Sequence, residues 1–162
     1  MEHAPRLERT ALVVDDDVFV VSALAELLED DGFDVLTATN GFSAMRRAVE
    51  AHPSVILLDV ALPERSGTEL LEDLRAEPTT HDLAIVLVTG FADQLTEAAC
   101  ALADGVVPKP FDADELLATV YAAIQHATAR HAEVAPVAAL SHRDASLRIR
   151  RASAARRTRG RR

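Results

Sequence analysis

The sequence predicts an α/β fold: one parallel sheet with helices on both of its faces. Three observations carry it. Short apolar runs recur at Ala11–Val14, Val55–Leu58 and Leu83–Val88, each closed by a polar residue or a turn. Runs this short and this apolar suit strands buried on both faces. Between them lie segments whose apolar residues fall three and four apart, the spacing of a one-sided helix. The two patterns alternate five times, which calls for parallel strands joined by helical crossovers.

Each element has its own signal. Ala11-Leu12-Val13-Val14 runs into Asp15-Asp16-Asp17 and is a strand with carboxylates at its carboxyl end. Val18, Val21, Leu24, Ala25 and Leu28 then mark a helix, and Asp31-Gly32 ends it. Asp34–Ala38 is a short strand followed by the turn Asn40-Gly41. Phe42, Met45, Ala48 and Val49 mark a second helix, which His52-Pro53 stops. Val55-Ile56-Leu57-Leu58 is the next strand and runs straight into Asp59. After Gly67, Leu70, Leu71 and Leu74 mark a third helix. Leu83–Val88 ends in Thr89-Gly90, and Leu95, Ala98, Ala99 and Leu102 mark a weaker fourth helix. Val106-Val107-Pro108 is a fifth strand, followed by Lys109-Pro110-Phe111. The fifth helix starts near Asp112, with Leu116, Leu117, Val120, Tyr121 and Ile124 on its apolar face. Right-handed crossovers and two covered faces favour a doubly wound strand order.

Composition sets limits. The chain has 162 residues, of which 49% are apolar, enough for one domain with a real core. No apolar run approaches the roughly 20 residues of a membrane span. The opening Met1-Glu2-His3-Ala4-Pro5-Arg6 lacks a signal-peptide pattern, so a cytoplasmic protein is expected. Cys100, alone, makes no internal disulfide and reads as a small buried residue. The charge is uneven. Residues 1–129 hold 7 Lys and Arg against 24 Asp and Glu, whereas residues 130–162 hold 10 Arg against 2 acids. An acidic domain over residues 9–129 thus precedes a basic tail over 130–162. The tail reads as flexible because like charges at that density oppose compaction, with a helical stretch around Leu147 to Ala155.

Asp15, Asp16, Asp59, Thr89 and Lys109 all fall at the carboxyl ends of strands. In open α/β sheets ligands bind at that edge. In the order 2-1-3-4-5 the first and third strands are neighbours, so the three aspartates converge. Carboxylates so close repel, and a bound cation resolves the repulsion. Oxygen ligands of this kind suit Mg²⁺. Thr89 adds a hydroxyl and Lys109 a positive charge, which together suit a phosphoryl group. A carboxylate can itself be the nucleophile and form an aspartyl phosphate, and Asp59 is the natural attacker.

Residues 9–127 resemble the receiver domain of bacterial two-component response regulators. The carrying motifs are Val13-Val14-Asp15-Asp16, Leu58-Asp59 with Pro63 and Gly67 following, Val88-Thr89-Gly90, and Lys109-Pro110-Phe111. The resemblance implies a flavodoxin-like five-stranded parallel sheet with five helices. It implies a regulator that takes a phosphoryl group on Asp59 from a histidine kinase or phosphotransfer protein, and the basic tail, without a DNA-binding pattern, makes a stand-alone receiver the expectation. Mg²⁺ would be held by Asp15, Asp16, Asp59 and the carbonyl of Ala61, and Thr89 and Lys109 would bind phosphoryl oxygens. A cis Lys109–Pro110 bond is implied too. The signal or phosphoryl group would pass on through the surface of helix 4, strand 5 and helix 5. Such a chain is a phosphoacceptor rather than a turnover enzyme, and a monomer or a phosphorylation-dependent homodimer. Ala61 and Phe91, two residues after Asp59 and Thr89, cannot orient an attacking water, which implies slow self-dephosphorylation. The family often has an aromatic ring three residues before the Lys, where this chain has Val106, and Pro108 removes one backbone donor.

Two rivals stand beside this reading. A haloacid-dehalogenase-type phosphatase would use Asp15 and Asp17 but needs further motifs on a longer core. A non-phosphorylated binding module would use the basic tail on nucleic acid or another anionic surface, weakly and without sequence preference. The tail has no aromatic residue for stacking and no helix-turn-helix pattern.

Overall fold

The computed structural model describes residues 9–133. The elements are β1 (Thr10–Val14), α1 (Val18–Asp30), β2 (Asp34–Ala38), α2 (Gly41–Ala51), β3 (Val55–Leu58), α3 (Gly67–Ala76), β4 (Ala84–Thr89), α4 (Glu97–Leu102) and β5 (Gly105–Pro108). A fifth helix, α5, covers residues 113–133. All five strands are parallel, in the order β2-β1-β3-β4-β5. This is the flavodoxin-like arrangement expected. By contact the chain divides into Met1–Ala127 and Thr128–Arg162, and of the second unit only the helical residues 128–133 are described. The basic tail and the helical stretch expected around Leu147 lie outside the described residues.

The period-2 alternation of buried strands splits the core into two layers. Ala11 and Val13 of β1, Leu57 of β3 and Val86 of β4 face Leu24 and Leu28 of α1 and Leu116 and Val120 of α5. Leu12 and Val14, Ile56 and Leu58, and Ile85 and Leu87 point the other way, onto Ala44 and Ala48 of α2 and Leu70, Leu71 and Leu74 of α3. Each helix begins where a polar side chain takes an otherwise unpaired amide. Asp17 accepts from Phe19, Asn40 from Ser43, and Ser66 from Glu69 in a capping box. Asp112 accepts from Asp114 and Glu115 at the start of α5.

At the far edge of the sheet Arg75 acts as a clamp. Its guanidinium donates to the carbonyls of Leu102, His81 and Leu83 and to Asp104, all within 2.7–2.9 Å. Asp104 also accepts the Ile85 amide at 2.9 Å. One side chain thereby ties the ends of α3 and α4 to the start of β4.

Expectations change at three helices. Val18, read with the apolar face of α1, is exposed. Of the residues read as the core face of α2, Ala48 is buried and Met45 packs against the core, but Phe42 and Val49 are exposed, and Gly41 and Ala44 are buried in their place. Small residues let α2 approach the sheet closely. Cys100, read as buried, is exposed. Ala99 and Leu102 lie on the inner side of α4, at i and i+3, Leu95 packs on the core just ahead of the helix, and Cys100 falls off that side. A 3-10 turn at Ala92–Gln94 precedes α4, which starts only at Glu97.

Candidate phosphoacceptor site

The strand register assembles the site. Val14 lies beside Leu58, and Leu58 beside Leu87. The residues that follow β1 and β3, Asp15 and Asp59, therefore emerge at one level on adjacent strands. Backbone bonds fix them there: the Asp59 amide donates to Val14 at 2.9 Å, and the Asp15 amide to Ala38 at 3.2 Å. Each of Asp15, Asp16 and Asp59 offers a carboxylate oxygen, and these oxygens lie within 4.8 Å of one another. Asp15 and Asp59 are buried, while Asp16 is exposed.

Lys109 closes the site from β5. Its amide donates to the Thr89 carbonyl at 2.9 Å, and the Lys109–Pro110 bond is cis. Its Nζ donates to Asp15 Oδ2 at 2.6 Å and lies 3.5 Å from Asp59 Oδ1. The ammonium thus sits between the two buried carboxylates. Thr89, fully buried at the end of β4, accepts the Phe91 amide on its hydroxyl oxygen at 3.1 Å.

Burial holds the Asp59 carboxyl above the ordinary carboxylate range, and the charge of Asp15 pushes it the same way. Lys109 and a hydrogen bond from the Ala61 amide pull it back. The loop after Asp59 is drawn in tightly. The Gly67 amide donates to Val60 at 2.8 Å, and a Cβ at Gly67 would lie 2.0 Å from the Asp59 carbonyl oxygen. Only glycine fits there, which explains its place eight residues after the Asp.

Sequence reasoning missed the part played by Asp17. Its carboxylate caps α1, and its amide donates to Asp15 Oδ1 at 2.9 Å. Both oxygens of Asp15 are therefore engaged, one by Asp17 and one by Lys109. The signal was present as an Asp directly before an apolar helical period. A carboxylate that caps its own helix does not serve as the second acid of the phosphatase alternative.

A buried strand-end aspartate with two neighbouring acids and a lysine is the acidic pocket expected of a receiver domain. Residues 11–121 match the family model of the response regulator receiver domain, and the chain belongs to that family. It is 39% identical over 118 residues to the transcriptional regulatory protein KdpE of Mycobacterium tuberculosis, covering 73% of this chain and 52% of that protein. It is 32% identical over 132 residues to a CpxR homolog of Haemophilus influenzae, covering 80% and 56%. The chain thus spans about half the length of the curated relatives it matches. Among solved structures it resembles the response regulator TrrA of Thermotoga maritima in complex with Mg²⁺-BeF, with a TM-score of 0.66, 30% identity and coverage of 71% and 98%. A putative response regulator of Chloroflexus aurantiacus gives a TM-score of 0.68 at 30% identity, covering 73% and 98%. The three clustered acids and the adjoining lysine fit a divalent cation beside a phosphoryl group. Among the described residues no helix is long and apolar enough to cross a membrane.

Proposed function

We propose that this chain accepts a phosphoryl group on Asp59 from a histidine kinase or phosphotransfer protein, in a Mg²⁺-dependent reaction. The carrying observation is the buried Asp59 carboxylate, within 4.8 Å of two further acids and 3.5 Å from the Lys109 ammonium. An Asp59 oxygen forms the new P–O bond as the P–N bond to the donor imidazole breaks, and the imidazole keeps the electron pair. Asp15, Asp16, Asp59 and the Ala61 carbonyl would hold the Mg²⁺, which when bound neutralises charge on the phosphoryl oxygens. Lys109 and Thr89 bind those oxygens. Asp17 keeps Asp15 oriented through its amide.

In this reading the chain is a phosphoacceptor with slow self-dephosphorylation, not a turnover enzyme. The signal leaves through α4, β5 and α5, to a downstream protein or onward in a relay, as a monomer or as a homodimer formed on phosphorylation. Its compartment is the cytoplasm, where an exposed thiol such as Cys100 stays reduced. Residues 130–162, rich in Arg, act in this proposal as a weakly anion-seeking segment. The test is labelling by a small phosphodonor such as acetyl phosphate. Label is expected with Mg²⁺ and lost with EDTA or in Asp59→Asn. Label that persists in the variant, or needs no metal, overturns the assignment.

A further inference from the structure

Asp17 starts α1, and the same residue reaches back into the acidic cluster. Its backbone is extended, with φ −84 and ψ 110. Its carboxylate accepts the Phe19 amide at 2.9 Å, and its carbonyl accepts the Val21 amide at 3.0 Å. Side chain and carbonyl are thus both committed to the helix, which fixes the backbone of residue 17.

The one polar group left over is the Asp17 amide, and it donates to Asp15 Oδ1 at 2.9 Å. The other oxygen of Asp15 takes the Lys109 ammonium at 2.6 Å. Asp15 is 2% exposed, which leaves little room for water to replace either donor. Among the described residues no other helix-capping residue gives its amide to one of the three clustered acids; the Ser66 amide goes to Glu69. Asp17 itself is exposed and stands outside the set of carboxylates close enough to share an ion, which is Asp15, Asp16 and Asp59. Partners that orient a metal ligand raise affinity, because a carboxylate already held in place loses less freedom on binding.

We propose that Asp17 is a positioning residue for the divalent cation, acting through its helix cap and not through its charge. The cap aims the Asp17 amide, the amide sets the rotation of Asp15, and Asp15 meets the cation already oriented. This rests on the reading of Asp15 as a Mg²⁺ ligand. Linkage makes the effect mutual: a cap that favours the metal is itself favoured by the metal. The first turn of α1, with the exposed Val18 and Phe19, therefore tightens when the cation binds.

A Mg²⁺ titration of the full chain without phosphodonor, followed by its amide resonances in a nitrogen-15 correlation spectrum, tests this. Salt at about 0.15 M screens exposed charge. Asp17→Ala removes cap and charge together and should weaken Mg²⁺ binding about tenfold. Asp17→Asn removes the charge but still caps, and should bind within about twofold of the parent. Thr96→Ala removes the cap of α4, outside the acidic cluster, and should bind as the parent does. Both positions are exposed, and the same spectra show that each variant keeps its fold. In the parent, exchange of the Phe19 amide with water should slow as Mg²⁺ saturates the site, and in Asp17→Ala it should not. The inference is overturned by an Ala variant that binds like the parent, or by an Asn variant as weak as the Ala variant. Equal weakening in Thr96→Ala, or Phe19 exchange indifferent to Mg²⁺, overturns it too. In each of these cases the parent still binds Mg²⁺ and the reading of the site stands, whereas a parent that takes up no Mg²⁺ overturns both.

Discussion

The site is built against its own charge, and Asp59→Asn should stabilise the metal-free protein. Asp15 and Asp59 offer oxygens within 4.8 Å of each other. At an effective dielectric of about 20 their repulsion is about 3.5 kcal/mol. Lys109, 3.5 Å from Asp59, returns about 5 kcal/mol on the same scale, but Asp15 shares that ammonium at 2.6 Å. The Coulomb contributions nearly cancel, which leaves desolvation to decide. The Asp59 side chain is only 6% exposed, and burying a carboxylate costs several kcal/mol even after relaxation. Asparagine has nearly the same volume and still accepts the Ala61 amide. A gain of about 1–2 kcal/mol follows, a rise of about 4–8 °C in Tm for a domain of this size. The pH dependence has a definite sign. Burial raises the folded-state pKa of Asp59, so between the ordinary carboxylate value and the raised value the folded state binds more protons than the unfolded one. Stability of the parent therefore falls as pH climbs through that window and stays lowered above it. The variant should lack this fall. Added Mg²⁺ should raise the parent Tm more than the variant's. Calorimetry across pH, with and without Mg²⁺, measures all of this. An Asn variant no more stable than the parent at neutral pH without metal would refute the reasoning.

Arg75→Met should cost about 3–5 kcal/mol, because it removes the ion pair with the Asp104 side chain and the donors to three carbonyls; urea unfolding measures it. Glu64 is held at φ 65, where its Cβ is unfavourable, so Glu64→Gly should stabilise by about 1 kcal/mol in the same assay. The phosphorylated parent should lose its label slowly. Ala61→Asn with Phe91→Glu should speed that loss by supplying groups that orient water, and unchanged decay would show that these side chains do not govern it.

Where strands are buried on both faces, the chain has few alternatives, and β1 and β3 were legible to within a residue. The same holds for the site. A carboxylate that directly follows such a strand has nowhere to go but the sheet edge, so Asp15, Asp16 and Asp59 had to meet once the strand order was known. Helix faces were less legible. In α2 Met45 and Ala48 pack on the sheet as expected, but Phe42 and Val49 turn outward, because alanines can line a closely packed interface without leaving a strong hydrophobic signature. In α4 only Ala99 is buried, and so short a contact does not fix which neighbours face out. That is why Cys100 was misread. The Asp17 link to Asp15 was illegible for another reason. It is made by a backbone amide, and no side-chain pattern encodes it.

Lys109 joins the resting site to the proposed reaction. Its ammonium neutralises Asp15 and lies near Asp59, so the unphosphorylated acids are partly compensated within the chain itself. A phosphoryl group on Asp59 would bring more negative charge than the carboxylate it replaces. The nearest internal cation to meet that charge is the same ammonium, which sits on a four-carbon stem that can turn. Its backbone is tethered, because its amide is held by the Thr89 carbonyl at 2.9 Å. A rigid base with a mobile tip lets one residue serve both states. Arginine at this position would keep the charge, but its planar fork would have to give up a bidentate fit to one partner to reach the other. Lysine's point charge carries no such constraint.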